Sequence, residues 1–231
     1  MRIKGSVVLV TGANRKLGRV LVEAFLEEGA SRVYAAEYNA GDLNLPAVIP
    51  IHLDVSDLSS AKTVAAQCSD VSILINDACA EIVATSTPWH GVSDCARARM
   101  ETNFWGIWNV SRAFSPVLAK NGGGALVNVV SALGWSSIEE SVASCASKAA
   151  AWALINRLRK ELKKQRTLVA GVHVASMGSD MMVRLRVPEI PLSQIARSII
   201  DGIAYDQFEI VVGDTTASSA VELDQPTDRS L

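Results

Sequence analysis

Paired cysteines, long apolar runs and a surplus of positive charge are all missing from this 231-residue sequence. Cys68, Cys79, Cys95 and Cys145 form no CxxC pair and lie at none of the short spacings that zinc ligands use, so they read as reduced, small hydrophobic residues. His52, His90 and His173 have no clustered acidic or cysteine partners, and no metal site is expected. The apolar run Val7 to Val10 is too short for the core of a signal peptide, and no later run approaches the ~20 residues of a membrane span. The expected location is therefore the cytoplasm, with no membrane partner. With 22 basic against 24 acidic residues and a formal net charge of -2, there is no electrostatic footprint for a nucleic acid. No internal repeat, proline-rich linker or long charge block divides the chain. Tyrosine is scarce too, with only Tyr34, Tyr38 and Tyr205.

What is present is the balance of one soluble globular domain, 49% hydrophobic and 20% charged. The domain is expected over 1–214, with 215–231 a polar, serine-bearing and loosely ordered tail. Short β-branched runs alternate with longer segments of helical period. The strand candidates are Ser6 to Val10, Arg32 to Ala36, Val48 to Leu53, Val71 to Ile75, Ala125 to Val130, Leu168 to Val174 and Glu209 to Val212. Most are apolar on both faces, as strands covered by helices on both sides must be. Leu17, Val20, Leu21, Ala24 and Phe25 recur at spacings of three and four, and Gly29 comes next as a stop signal, which predicts an amphipathic helix. Longer helices are predicted over 93–119 and 142–165, the second with Glu139 and Glu140 at its start and Lys160, Lys163 and Lys164 at its end, as the helix dipole prefers. The order predicts an α/β doubly wound parallel sheet of about seven strands with helices on both faces and a ligand crevice at the carboxyl ends of the strands.

After the first strand comes Thr11-Gly12-Ala13-Asn14-Arg15-Lys16-Leu17-Gly18, a tight turn that opens a helix whose N-terminus can hold an anion such as a dinucleotide pyrophosphate. This turn, Asp54-Val55 after the third strand, Asn76-Asp77-Ala78-Cys79 after the fourth, Asn103, Ser131 and Lys148 together resemble the short-chain dehydrogenase/reductase family, in order and spacing, through nearly the whole chain. The resemblance implies a Rossmann-like fold. It also implies a cofactor site of Gly12, Asn14, Arg15, Lys16, Leu17, Gly18, Glu37, Asp54, Val55, Asn76 and Lys148, and a hydride-transfer tetrad of Asn, Ser, Tyr and Lys. Asp54 would then serve the adenine ring and Asn76 would lie beneath the nucleotide.

Several positions depart from the family pattern. Lys16 stands where the family turn has its middle glycine, and Asp77 and Cys79 replace the second Asn and the Gly of NNAG. Val174-Ala175 occupies the place of a Pro-Gly pair. The tyrosine of YxxxK is Ser144, in Ser144-Cys145-Ala146-Ser147-Lys148. An aliphatic hydroxyl is far less acidic than a phenol of pKa about 10, and it is shorter. No other tyrosine stands in for it.

The catalytic candidates are Ser131, Ser144, Lys148 and Asn103, with Asn103 equally a support for a helix kink. Trp135, Met177, Met181 and Met182 are the candidates for an apolar substrate pocket. Glu37, ending the second strand, would accept from ribose hydroxyls and repel a 2'-phosphate, which favours NAD over NADP, whereas Arg15 argues weakly for NADP. With Lys16 in the turn, the absence of any dinucleotide is the competing expectation. Trp105, Trp108 and Trp152 are expected at a homodimer or homotetramer contact through the helices near 93–119 and 142–165. The leading functional expectation is a non-redox step, such as cyclisation, elimination or isomerisation, on a hydrophobic small molecule in biosynthetic metabolism. The alternatives are an NAD(P)(H)-dependent oxidoreductase in which Ser144 or water relays the proton, and a non-catalytic partner subunit.

Overall fold

Alternating side chains along the strands decide the architecture, because successive residues of a strand point to opposite faces. In β1 (Val7–Thr11), Val8 and Val10 enter one apolar core and Leu9 the other. The same alternation divides Val33 and Ala35 from Tyr34 and Ala36 in β2 (Arg32–Glu37), and Ile73 and Ile75 from Leu74 in β4 (Ile73–Asn76). The computed structural model describes residues 1–39, 45–79, 93–131, 142–174 and 190–213, with the backbone alone described at 93–95, 131, 142 and 144. The expected tail, 215–231, and the pocket candidates Trp135, Met177, Met181 and Met182 lie outside those residues.

Seven parallel strands form one sheet in the order β3-β2-β1-β4-β5-β6-β7, where β3 is Val48–His52, β5 Gly124–Ser131, β6 Thr167–Val174 and β7 Glu209–Val212. One face is covered by α1 (Lys16–Glu27) and α6 (Leu192–Ala204), whose Leu17, Leu21, Phe25, Ile195 and Ile199 complete the first core. The other is covered by α2 (Leu58–Gln67), α4 (Ile107–Lys120) and α5 (Val142–Leu162), which bring Val64, Phe114 and Ile155 to the second. Fully burying a side chain such as Phe25 or Phe114 contributes about 1.5–3 kcal/mol. No helix among the described residues is long and apolar enough to cross a membrane.

Not every strand is covered on both faces: β3 is an edge strand, half exposed, with Pro50 at its centre. The helix expected over 93–119 is present and runs to Lys120, but its winding changes within it. It consists of α3 (Ser93–Met100), a π-helical turn over Glu101–Gly106, and α4. A wide turn of this kind often marks a functional position, and Asn103 lies inside it. The helix at 142–165 ends α5 at Leu162 and tightens to a 3-10 turn over Lys163–Gln165.

Candidate functional site

The strand order reverses direction between β1 and β4, so the connections leaving these two neighbours diverge and open a crevice at their carboxyl ends. The glycine turn leaves β1 on one side of it, and Asp77-Ala78-Cys79 leaves β4 on the other. Thr11 fastens the two exits together, its Oγ1 accepting from the Asp77 and Ala78 N–H groups at 3.1 Å each. Gly12 has φ +73°, and a Cβ there would stand 3.1 Å from the Ala78 backbone. Gly18 allows α1 to start directly against the turn, because a Cβ at that position would lie 2.0 Å from the Gly12 carbonyl oxygen.

Lys16 is the first residue of α1 and exposed, and it is not among the residues of positive φ, so the chain path here does not require the glycine that the family pattern has. Asn14 and Arg15 are exposed beside it, and Leu17 is buried beneath. No side chain caps the N-terminus of α1, and its first turn carries no acidic residue. By contrast Asp57 caps α2 by accepting from the Ser59 and Ser60 N–H groups. The orphan donors of α1 thus face the crevice with a partial positive charge.

Around this turn the second and third strands contribute the next residues. Glu37 Oε1 accepts from the Asn14 N–H at 2.7 Å, and Asn14 Nδ2 donates to the Asn39 carbonyl at 3.1 Å, which ties the turn to the exit of β2. Asp54 Oδ1 accepts from the Ser56 N–H and hydroxyl at 2.9 and 2.6 Å and shapes the loop after β3. Val55 of that loop is gripped from α4, where Asn109 Nδ2 donates to the Val55 and Ser56 carbonyls. Gly106 permits the approach, since a Cβ there would lie 2.9 Å from Val55 Cγ2. Arg15 reaches across the crevice, with its guanidinium 3.5 Å from Cys79 Sγ.

Asn76 stands at the end of β4, but its amide turns into the core. It donates to Asn128 Oδ1 at 2.9 Å and to Ser111 Oγ at 3.3 Å, and all three residues are buried. Its observed work is to join β4, β5 and α4 beneath the crevice. On the far side, Asn103 Nδ2 donates to Ser147 Oγ at 3.1 Å, so the π turn is bonded to α5 one residue before the half-buried Lys148. Ser131 ends β5 and Ser144 lies in the first turn of α5, so the fold brings both backbones toward the same end of the sheet.

Thr11, Ser111, Asn128 and Ser147 were not among the residues expected from the sequence. Asn128 did carry a signal, being an amide in the middle of an otherwise apolar strand. Tyr38, at the exit of β2, is 62% exposed, and its ring lies 5.6 Å from that of His52 at the crevice margin. Among the described residues no group of three or more His, Cys, Asp or Glu could hold a metal ion.

A seven-stranded parallel sheet wound in both directions, with a glycine turn and an uncapped helix N-terminus at its switch point, defines a doubly wound α/β protein of the nucleotide-binding type. A family model described as short chain dehydrogenase matches residues 6–189, and the chain belongs to that family. Estradiol 17-beta-dehydrogenase 11 of Homo sapiens is 31% identical over 177 residues, which make up 69% of this chain and 57% of that protein. D-erythrulose reductase of Gallus gallus is 27% identical over 188 residues, covering 78% and 75%. The chain thus spans 57% of the length of the first of these relatives. Among solved structures, a short chain dehydrogenase from Burkholderia cenocepacia J2315 in complex with NADP superposes with a TM-score of 0.86 at 33% identity, covering 96% of this chain and 94% of that one.

Proposed function

We propose that the protein is an oxidoreductase that binds a nicotinamide dinucleotide in the crevice between β1 and β4 and transfers hydride to or from a small organic substrate. The observation that carries this reading is the uncapped N-terminus of α1 behind a turn in which Gly12 and Gly18 are both sterically required. The likeness at 33% identity to a structure holding NADP supports it, as do relatives named as dehydrogenases and reductases.

The residues present fit such a group. The turn from Gly12 through Gly18, with Asn14, Arg15, Lys16 and Leu17 between them, would hold the pyrophosphate on backbone N–H groups. Asp54 and Val55 would border the adenine, and Lys148 would reach the nicotinamide ribose. Glu37 would receive a ribose hydroxyl on the lone pairs that the Asn14 N–H leaves open, and its charge would repel a 2'-phosphate, which favours NAD. Arg15, anchored near Cys79, is the cation placed to offset that repulsion.

When bound, the nicotinamide supplies or accepts the hydride. The chain must then move one proton, and Ser144 stands where the family pattern has its phenol, so this is an atypical member of the family. Ser131, Ser144 and Asn103 would orient the substrate oxygen, with Ser144 or a water relaying the proton. Ser144 also sustains the second reading, a non-redox step on a hydrophobic molecule, because loss of a positioned acid ordinarily costs about 100- to 10,000-fold.

Titration of the purified protein with NADH and NADPH, with Lys16→Gly alongside, tests the reading. Binding of NADH tighter than NADPH supports it, and binding of neither by native or variant protein refutes it. Ser144→Tyr should raise turnover with NADH, and an unchanged rate favours the non-redox step. The assembly we propose is a homodimer or homotetramer through α4 and α5. On the π turn and α4, Trp105 and Trp108 are 42% and 40% exposed and meet each other and Phe104 through edge-on and tilted ring contacts in one aromatic patch. Trp105→Glu should reduce the mass in sedimentation to that of one chain.

A further inference from the structure

Away from the crevice, a second polar cluster joins α5 to the last two strands. Arg159 lies on α5, and Glu209 begins β7 in register with Gly171 of β6. The guanidinium of Arg159 donates to Glu209 Oε1 at 2.5 Å, to the Val169 carbonyl at 3.0 Å, to Asn156 Oδ1 at 2.9 Å and to the Phe208 carbonyl. His173 Nε2, on a side chain 1% exposed, meets Glu209 Oε2 at 2.6 Å. Space for the cluster comes from Gly171, where a Cβ would lie 2.9 Å from Glu209 Oε2, 3.2 Å from His173 Nε2 and 3.3 Å from an Arg159 nitrogen. One carboxylate thus links a helix to a strand, using both of its oxygens.

The position along α5 gives this clamp its meaning. Lys148 and Arg159 are eleven residues apart, about three helical turns or ~16 Å, and so share a face. Ala151 and Ile155, buried between them, confirm that this face meets the sheet. The helix is therefore pinned at two heights: near Lys148 by the Asn103–Ser147 bond, and at Arg159 by the carboxylate.

We propose that Glu209 is a positioning residue which, by holding Arg159 and His173 together, fixes the height and rotation of α5 against the sheet and hence the place of Lys148 at the crevice. This rests on the reading of the crevice as a nicotinamide dinucleotide site. A fixed backbone helix transmits the constraint, because sheet and helix are close-packed and do not deform continuously. Small misplacements of a binding group are costly in turn.

The test is a cycle of NADH titrations on the full chain, comparing native, Glu209→Gln, Lys148→Met and the double variant. Glu209→Gln keeps the shape and removes the charge that holds the guanidinium. Energetic coupling between separated sites ordinarily lies between about 5- and 150-fold, so a rise in Kd of at least about fivefold is expected. If Glu209 acts through Lys148, the double variant binds no more weakly than Lys148→Met alone, although residues so far apart usually act additively. Leu118→Val, in the core at the end of α4 away from the crevice, serves as the control that lowers stability without moving Kd. Arg159→Lys, which keeps the charge but loses the fork to the two carbonyls, carries the same comparison if Glu209→Gln does not fold. Native-like affinity in both Glu209→Gln and Arg159→Lys, or effects that simply multiply in the double variant, overturn the proposal while leaving the dinucleotide reading intact. Failure of the native protein to bind NADH or NADPH overturns both.

Discussion

Replacing Gly18 by alanine sets two physical effects against each other. Gly18 is the third residue of α1, and inside a helix Gly→Ala ordinarily stabilises by about 1 kcal/mol. Here the new Cβ would stand 2.0 Å from the Gly12 carbonyl oxygen, 2.7 Å from its carbon and 2.9 Å from Ala13 Cα, where ordinary contact begins at 3.4 Å. All three atoms are backbone, so the helix start or the turn must move by more than an ångström. Forcing a group into packed surroundings costs about 1–3 kcal/mol, and contact with backbone belongs at the upper end. The net expectation is a loss of about 2 kcal/mol. Urea unfolding monitored by circular dichroism would measure it. Gly202→Ala in α6 is the companion, because its Cβ would meet Ile210 Cδ1 at 2.2 Å and Cγ1 at 2.5 Å, side-chain atoms that can turn about χ1 where backbone cannot. Gly202→Ala should therefore cost less than Gly18→Ala. An unchanged or raised midpoint for Gly18→Ala would refute the steric argument, and unimpaired NADH binding would show that the turn need not hold its present shape.

Three other outcomes are expected. Asn128→Ala removes the acceptor of the Asn76 amide and a donor to the Ala170 carbonyl, all buried, and should lower unfolding free energy by about 1–3 kcal/mol; an unchanged urea midpoint would contradict that network. Burial holds the His173 pKa below 6.5 despite the opposing bond to Glu209, so its contribution is complete above 6.5 and is lost as the pH falls through the folded value. Native protein should lose stability faster than His173→Gln between about pH 7.5 and about pH 5.5, and parallel curves would refute this. Burial also pushes the Cys68 thiol up to about 12, so iodoacetamide at neutral pH should leave Cys68 unmodified in the folded protein and label it only in urea, as mass mapping would show.

The strands were legible because a sheet covered twice must be built from short apolar runs, and the observed limits of β7 are those read from the sequence. The glycine turn was legible for a related reason: its residues are dictated by local backbone geometry. A helix kink at Asn103 was implied by the family resemblance, and the π turn lies there, but periodicity did not show it, since one additional residue in a helix rotates the next turns without changing composition. Bonds between distant segments were hidden as well. Nothing in the sequence pairs Glu37 with the Asn14 N–H, or Arg159 with Glu209, because only the fold brings residues 23 and 50 positions apart together. The exposure of β3 depended on strand order, for which Pro50 inside the run is a local signal, since proline is confined to the edges of sheets.

Pro50 has a consequence for what the molecule does when crowded. The Val33 N–H donates to the Ala47 carbonyl and the Leu53 N–H to the Glu37 carbonyl, so odd-numbered residues of β3 bond inward. Residues 48, 50 and 52 form the outward row, and the Val48 N–H already donates to the Leu45 carbonyl. Proline leaves the middle of that row without a hydrogen to offer. A stray extended chain arriving at this margin finds at most a single backbone donor, at His52, opposite its own carbonyls, and templated growth of one molecule onto the next is weakened there. Substituting Pro50 with valine would restore the middle donor, and the variant should seed fibrils or precipitate from concentrated solution sooner than the native protein.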